Sequence, residues 1–169
     1  MRRKDREITD KNELKKIMAK CDTCRLAMFD EEYPYIVPLN FGVDEEDGQM
    51  YLYFHCATQG KKLDLIRKNP KVTFEMDCEH NIILYEERMS CTMGYASIIG
   101  RGEVEFVSDE DKIPALELIV KHYHPEGFQF DVRMAKVTTV FRVKVKDMTG
   151  KRRNNVHPEE KTKMHVTLE

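Results

Sequence analysis

One stretch of this chain carries an electrostatic contradiction that restricts how it can fold. Tyr51-Leu52-Tyr53-Phe54-His55-Cys56 is a run of large residues with three aromatics, and it reads as a buried strand. Thr58, Gln59 and Gly60 then turn the chain into a helix from Lys61 to about Asn69, closed by Pro70. Lys61 and Lys62 therefore occupy the first helical turn. Unpaired N–H groups give a helix start roughly half a positive charge, so acidic residues belong there and basic ones do not. A bound anion resolves the conflict by accepting the free N–H groups and neutralising both lysines. The stretch Thr58–Lys62 is thus a candidate phosphate site beside aromatic and sulfur-bearing side chains. The alternative at this point is a pair of solvated surface lysines.

Length and charge narrow the remaining possibilities. A chain of 169 residues forms one domain with a real core. Its 28 basic and 30 acidic residues nearly cancel to a net charge of −2, and a pI near 6.3 argues against a nucleic-acid partner. No apolar run approaches the roughly 20 residues of a spanning helix. Arg2, Arg3 and Lys4 lack the apolar segment of a secretory signal behind them, so the expected location is the cytoplasm, with no membrane partner. Five cysteines, an odd number, fit a reduced compartment better than a disulfide framework.

Taken in order, Met1 to Ile8 is charged and loosely held. Asp10 caps a helix in which Glu13 completes a capping box and Leu14, Ile17 and Met18 form the apolar stripe. Strands follow over Arg25–Phe29 and Tyr35–Phe41. Pro38 cannot donate to a ladder, so the second strand lies at an edge or is bulged there. An acidic hairpin turn covers Asp44 to Gly48. After the Lys61 helix, Val72, Phe74 and Met76 alternate inward, while Cys78 to Cys91 has no clear period and reads as a loop. Tyr95–Val107 is a long strand, bent or bulged at Gly100 and Gly102. A helix from Asp109 to His122 buries Ile113, Leu116, Ile119 and Val120. A last alternating strand from Val137 ends at Thr149-Gly150. Six short strands with two or three helices between them point to a closed or nearly closed β-barrel with peripheral helices. The domain spans 1–153, and 154–169 is a polar C-terminal tail.

Motif chemistry is sparse. Cys21-Asp22-Thr23-Cys24 has C-x-x-C spacing, but no second pair follows at zinc-site distance, so small core cysteines are the better reading and no metal site is assigned. His55 ends the buried strand beside the anion site, where either a hydrogen-bonded core histidine or a functional one fits. No dinucleotide, P-loop or nucleophile-elbow motif is present, so any NAD(P)H contact would be transient.

The ordered segments Met1 to Ile8, Arg25-Leu26-Ala27, Pro34 to Phe41 (Pro-Tyr-Ile-Val-Pro-Leu-Asn-Phe), Leu52-Tyr53-Phe54-His55 with Gly60-Lys61-Lys62-Leu63-Asp64, Asn69-Pro70-Lys71-Val72 and Tyr95 to Gly102 carry a resemblance. Together they resemble the pyridoxamine 5′-phosphate oxidase-like flavoproteins, and within them the branch related to 5-nitroimidazole resistance proteins. The resemblance covers about residues 1–153 and rests on order and spacing. It implies a split β-barrel that binds FMN at the interface of a homodimer. It implies that the Pro38-Leu39-Asn40 strand lies along the flavin ring, with His55 and Cys56 beside the ring and ribityl chain. Lys61 and Lys62 would be the family's phosphate-binding basic pair, in agreement with the Thr58–Lys62 site read from the helix start, and Ser97 would approach the cofactor from the other subunit. His55 matches the histidine proposed to act catalytically in the nitroimidazole branch. The C-terminal basic and aromatic residues that grip substrate in true pyridoxamine phosphate oxidases are not recognisable, which counts against that reaction. The expected function is an FMN-dependent oxidoreductase acting on a small planar acceptor. Its rival is a flavin- or haem-binding protein without turnover, in which a histidine ligates iron.

Overall fold

Every strand pairing among the described residues is antiparallel, and together the pairings make one sheet. The computed structural model describes residues 3–153; the tail at 154–169 lies outside the described residues. The strands are β1 (Glu7–Ile8), β2 (Cys24–Met28), β3 (Tyr35–Leu39), β4 (Gly42–Glu46), β5 (Gln49–Ala57), β6 (Lys71–Tyr85), β7 (Ser90–Phe106) and β8 (Thr138–Arg153). They pair in the order β3-β2-β6-β7-β8-β5-β4, with β1 beside β8. The helices are α1 (Lys11–Met18), α2 (Lys61–Lys68), α3 (Lys112–Tyr123) and the short α4 (Arg133–Lys136). The two edge strands, β3 and β4, are consecutive in sequence and joined through Asn40 and Phe41, yet no pairing links them among the described residues. The barrel is therefore split along one seam.

The inward faces of the strands and α1 enclose the main core, where Phe41, Phe54, Phe74 and Phe141 are fully buried. Phe54 stacks on Phe141 at 5.3 Å. A second layer forms where α3 packs Ala115 and Ile119 on Tyr51, Tyr53 and Val140. Strand β5 thus sends alternate residues into two separate cores, which explains its unbroken apolar run. Pro38 sits on the edge strand β3, where its missing donor costs nothing. The bend expected at Gly100 and Gly102 is a register shift between Arg101 and Gly102.

Several expectations are corrected. There are eight strands among the described residues, not six. The stretch from Cys78 to Cys91 is not a loop: from Asn81 to Gly94, β6 and β7 pair only with each other among the described residues. With no third described strand beside it, the two-stranded ribbon leaves Ile82, Leu84 and Met93 exposed while burying Ile83, so no single period shows. The N-terminus is held, because Glu7 and Ile8 pair with Lys151 and Gly150 of β8. Asp10 caps α1 by accepting from the Glu13 N–H at 2.9 Å, but the Glu13 carboxylate bonds Lys16 and Arg152 instead of closing the box. No helix among the described residues is long and apolar enough to cross a membrane.

Candidate functional site

The seam of the barrel gathers most of the candidate residues. Strand β5 pairs with β4 only as far as Tyr53, opposite Gly42, whereas its pairing with β8 continues to Ala57. His55, Cys56 and Ala57 therefore overhang β4 with one edge free of any strand among the described residues. The chain then bends through Thr58 and Gln59, both exposed, into α2.

The start of α2 has the predicted character, with one change. Gly60 is the N-cap at φ 137°, a backbone conformation open to glycine, and no side chain caps the helix. Its first N–H groups are thus left for another acceptor. Lys61, however, is engaged: its Nζ lies 2.6 Å from Asp30 Oδ2 and 5.1 Å from the centre of the Tyr35 ring. The sequence pattern names no partner within the chain for either lysine; the Asp30 turn between β2 and β3 comes within reach of α2 and supplies one to Lys61. Lys62 has no carboxylate partner among the described residues. Its ammonium reaches Cys56 and acts on His55.

His55 and Cys56 point to opposite faces of β5. Cys56 continues the row of Leu52 and Phe54 and packs, half-buried, against the main core. Burial raises its thiol pKa, while Lys62 and Arg67 pull the other way. His55 continues the row of Tyr51 and Tyr53 toward α3. Its ring keeps solvent contact at a rim, but the surrounding walls and then the Lys62 ammonium push its pKa below the ordinary 6.5. Both effects favour the neutral imidazole.

That rim belongs to an open groove of about 580 Å³. Asn40 and His55 form one side; Ile119, Val120, Tyr123 and His124 at the end of α3 form the other, with Phe128 beyond them. The backbone that carries Asn40 is fixed from α3. Phe41 N–H donates to Tyr123 Oη at 3.0 Å, and that hydroxyl donates to Asp22 O at 2.8 Å. His122 Nε2 lies 2.7 Å from Cys21 O, and its ring meets the Phe41 ring at 4.3 Å.

The structure thus brings Asn40 and His55 into one groove, with Lys62 and Cys56 adjacent and Lys61 against the start of β3. Pro38 faces outward and Leu39 inward on that edge strand. Ser97 is not brought to this group. It sits on β7 opposite Asp77 and Lys151, with β6 and β2 between it and β3. Three strand spacings amount to roughly 14 Å.

The sequence pattern of the pyridoxamine 5′-phosphate oxidase family matches residues 10–152. The chain belongs to that family. This oxidase-family chain is also similar to solved structures. A candidate 5-nitroimidazole antibiotic resistance protein from Bacteroides thetaiotaomicron shares 33% identity over 86% of this chain and 85% of its own, with a TM-score of 0.74. A FAD- and haem-binding protein from Mycobacterium smegmatis shares 15% identity over 87% and 73%, with a TM-score of 0.73. A flavocytochrome from Azotobacter vinelandii shares 13% identity over 92% and 72%, also at 0.73. The last two show the split-barrel fold. No curated protein matches the chain.

Sequence reasoning did not single out Asp30, Tyr35, Tyr123, His124 or Phe128 in this family member. Tyr123, His124 and Phe128 reach the seam through tertiary packing across a long stretch of chain, whereas Asp30 and Tyr35 lie in the turn and edge strand beside it. The acidic run Asp30-Glu31-Glu32 was the available signal, since a basic helix start needs either a bound anion or a carboxylate from elsewhere in the fold.

Proposed function

We propose that the protein binds FMN along the seam and passes electrons through it to a small planar acceptor of the nitroaromatic kind. The observation that carries this reading is Lys62. An ammonium with no carboxylate partner among the described residues stands in the first turn of a helix whose N-terminus no side chain caps, close enough to the groove residue His55 to act on it. Those groups fit a phosphate. Lys62, the α2 N–H groups and Thr58 would hold the phosphate, Lys61 would add to it when released from Asp30, and Pro38–Asn40 with His55 and Cys56 would flank the ring. Bound flavin supplies the redox chemistry; the chain supplies position and charge.

The similarity to a candidate nitroimidazole resistance protein and the flavin in the names of two structural neighbours support this reading. His55 would act as a proton donor to the reduced acceptor. Its depressed pKa suits that role only with an anion bound, because neutralising Lys62 removes one of the two causes that hold the imidazole neutral. Ser97 would contribute only from a second copy, since within one chain it stands away from the seam. A homodimer is part of the proposal for that reason.

The test is the absorbance spectrum of the purified protein, followed by titration with FMN. Flavin bands and saturable FMN uptake are expected, with anaerobic reoxidation of the reduced flavin by a nitroaromatic. A Soret band instead, or FMN binding unchanged in Lys62→Ala, would overturn the assignment.

A further inference from the structure

The C-x-x-C spacing joins Cys21 to Cys24 in sequence, but the fold sets Cys21 against Cys78. Cys24 enters β2 opposite Leu39 and is fully buried. The Cys21 and Cys78 thiols converge on one acceptor, Ile17 O, at 3.3 and 3.8 Å. Their sulfurs also lie within hydrogen-bond reach of each other. Cys21 is 2% exposed and Cys78 8%, yet their surroundings differ. Strand β6 leaves its register with β7 directly after Cys78, and Glu79 there takes a φ of 59°, uncommon for a residue with a side chain. Lys20 and Arg152 both pair with Glu79 at that bulge. Burial raises both thiol pKa values. For Cys78 the Cys21 hydrogen bond, Lys20 and Arg152 act in the opposite sense, with Glu79 adding to the rise. For Cys21 the neighbours Cys78, Asp77 and Glu75 all add to it. Cys78 is thus the readier thiolate of the two.

We propose that hydrogen peroxide joins Cys21 and Cys78 in a reversible disulfide, and that this bond shifts the end of α3. The Cys78 sulfur attacks one peroxide oxygen; the O–O bond breaks and the other oxygen leaves as water. The Cys21 sulfur then attacks the Cys78 sulfenic sulfur, the S–O bond breaks, and that oxygen leaves as a second water with the Cys21 proton. Two thiols and one peroxide give one disulfide and two waters. A dithiol reductant reverses the step by exchange. The consequence follows from where Cys21 sits. Its carbonyl oxygen lies 2.7 Å from His122 Nε2, and Asp22 O accepts from Tyr123 Oη at 2.8 Å. The same hydroxyl accepts the Phe41 N–H, so this short segment anchors the end of α3 and the backbone after Asn40 together. A covalent bond from Cys21 to β6 repositions that anchor. No flavin takes part, so the thiol pair and the flavin site are tested separately.

The experiment uses the full chain with Cys91→Ser, which removes the exposed thiol. The folded protein is treated over hours with excess hydrogen peroxide, alkylated in denaturant and mapped by mass spectrometry with fragmentation. A peptide pair crosslinked through Cys21 and Cys78 is expected, with Cys24 alkylated, and dithiothreitol should restore both thiols. The assigned His122 imidazole resonances should move on oxidation and return on reduction. Cys78→Ala should abolish both changes, and the mapping of the chain that retains Cys78 decides the bond even where that variant fails to fold. Retention of both thiols, a Cys21–Cys24 bond instead, a Cys78 sulfinic acid without a bond, or a Cys21–Cys78 bond that leaves the His122 resonances in place would each overturn the proposal.

Discussion

Lys61 is held by Asp30: the ammonium stands 2.6 Å from the carboxylate, and the pair ties the turn after β2 to the first turn of α2. Each raises or lowers the other in the expected sense, Lys61 upward and Asp30 downward, chiefly through their hydrogen bond. The arrangement ranks the two lysines. Lys62→Ala is expected to weaken binding of FMN or inorganic phosphate by about tenfold or more, the scale of a charge-assisted bond to phosphate. Lys61→Ala should cost less, because its charge is already partly answered. Asp30→Asn should tighten binding by a small factor, since an exposed pair is weak and easily released. Fluorescence titration of FMN reads all three, and equal losses for the two lysines would sink the ranking.

His55 reports on the same corner. Burial and then Lys62 lower its pKa below 6.5, so on acidification the unfolded chain takes up a proton before the folded one does. The folded state therefore loses stability as pH falls from about 6.5 towards the depressed value, and this contribution is level above that window. Following the imidazole resonances by NMR should give a titration midpoint below 6.5 in the parent chain. Lys62→Met should move it part of the way back, leaving the burial effect. Saturating phosphate should do the same in the parent and not in the variant. A midpoint indifferent to both would place Lys62 away from His55.

Much of this architecture was readable from residue order. The Asp10 cap, the stripe Leu14-Ile17-Met18, the β5 run, the α2 limits and the edge position of Pro38 follow from local rules, and each is present. What escaped was non-local. The β6–β7 ribbon lost its alternation because half of it has no neighbouring strand among the described residues, and Asp30 approaches Lys61 only through the turn between β2 and β3. Tyr123 is joined to Phe41 across 82 positions, a contact that no periodicity encodes. The seam itself was legible as chemistry but not as shape: lysines at a helix start and a histidine at a strand end point to a site, while the α3 wall comes from the fold.

The cysteines give a test with no dependence on any cofactor. Cys21, Cys24 and Cys78 are buried, Cys56 is half-buried, and Cys91 is exposed on the ribbon. Burial pushes the Cys24 thiol up to about 12 and the Cys21 thiol further, while Cys21 also donates to Ile17 O at 3.3 Å. Thiolates are the reactive form, so these groups should be inert. Titration of the folded protein with an aromatic disulfide reagent should release one fast equivalent, lost in Cys91→Ser, then a slower one from Cys56. The other three should appear only in denaturant. Rapid reaction of Cys21 or Cys24 in the native chain would contradict their place in the core.

The corner that carries Asn40 is pressed against α3 by two contacts that can be separated. Gly42 opens β4, and a Cβ there would lie 2.8 Å from both Ile119 N and Leu118 C, helix backbone that cannot swing aside. Gly42→Ala must therefore push β4 and α3 apart, opening the layer that holds Tyr51, Tyr53 and Ile119. Tyr123→Phe leaves the packing intact but strips the partner from Phe41 N–H, a part-buried donor whose loss costs on the order of 1–2 kcal/mol. For a chain of this size that corresponds to a fall in Tm of roughly 2–8 °C. Gly42→Ala is expected to lower Tm by more, because a backbone clash spreads over a whole layer while a lost hydroxyl is local. Both variants should also loosen the groove, so binding of FMN should weaken in Tyr123→Phe even at temperatures where the protein remains fully folded. Unchanged binding at a lowered Tm would show that the hydroxyl supports the fold alone and leaves Asn40 where it was.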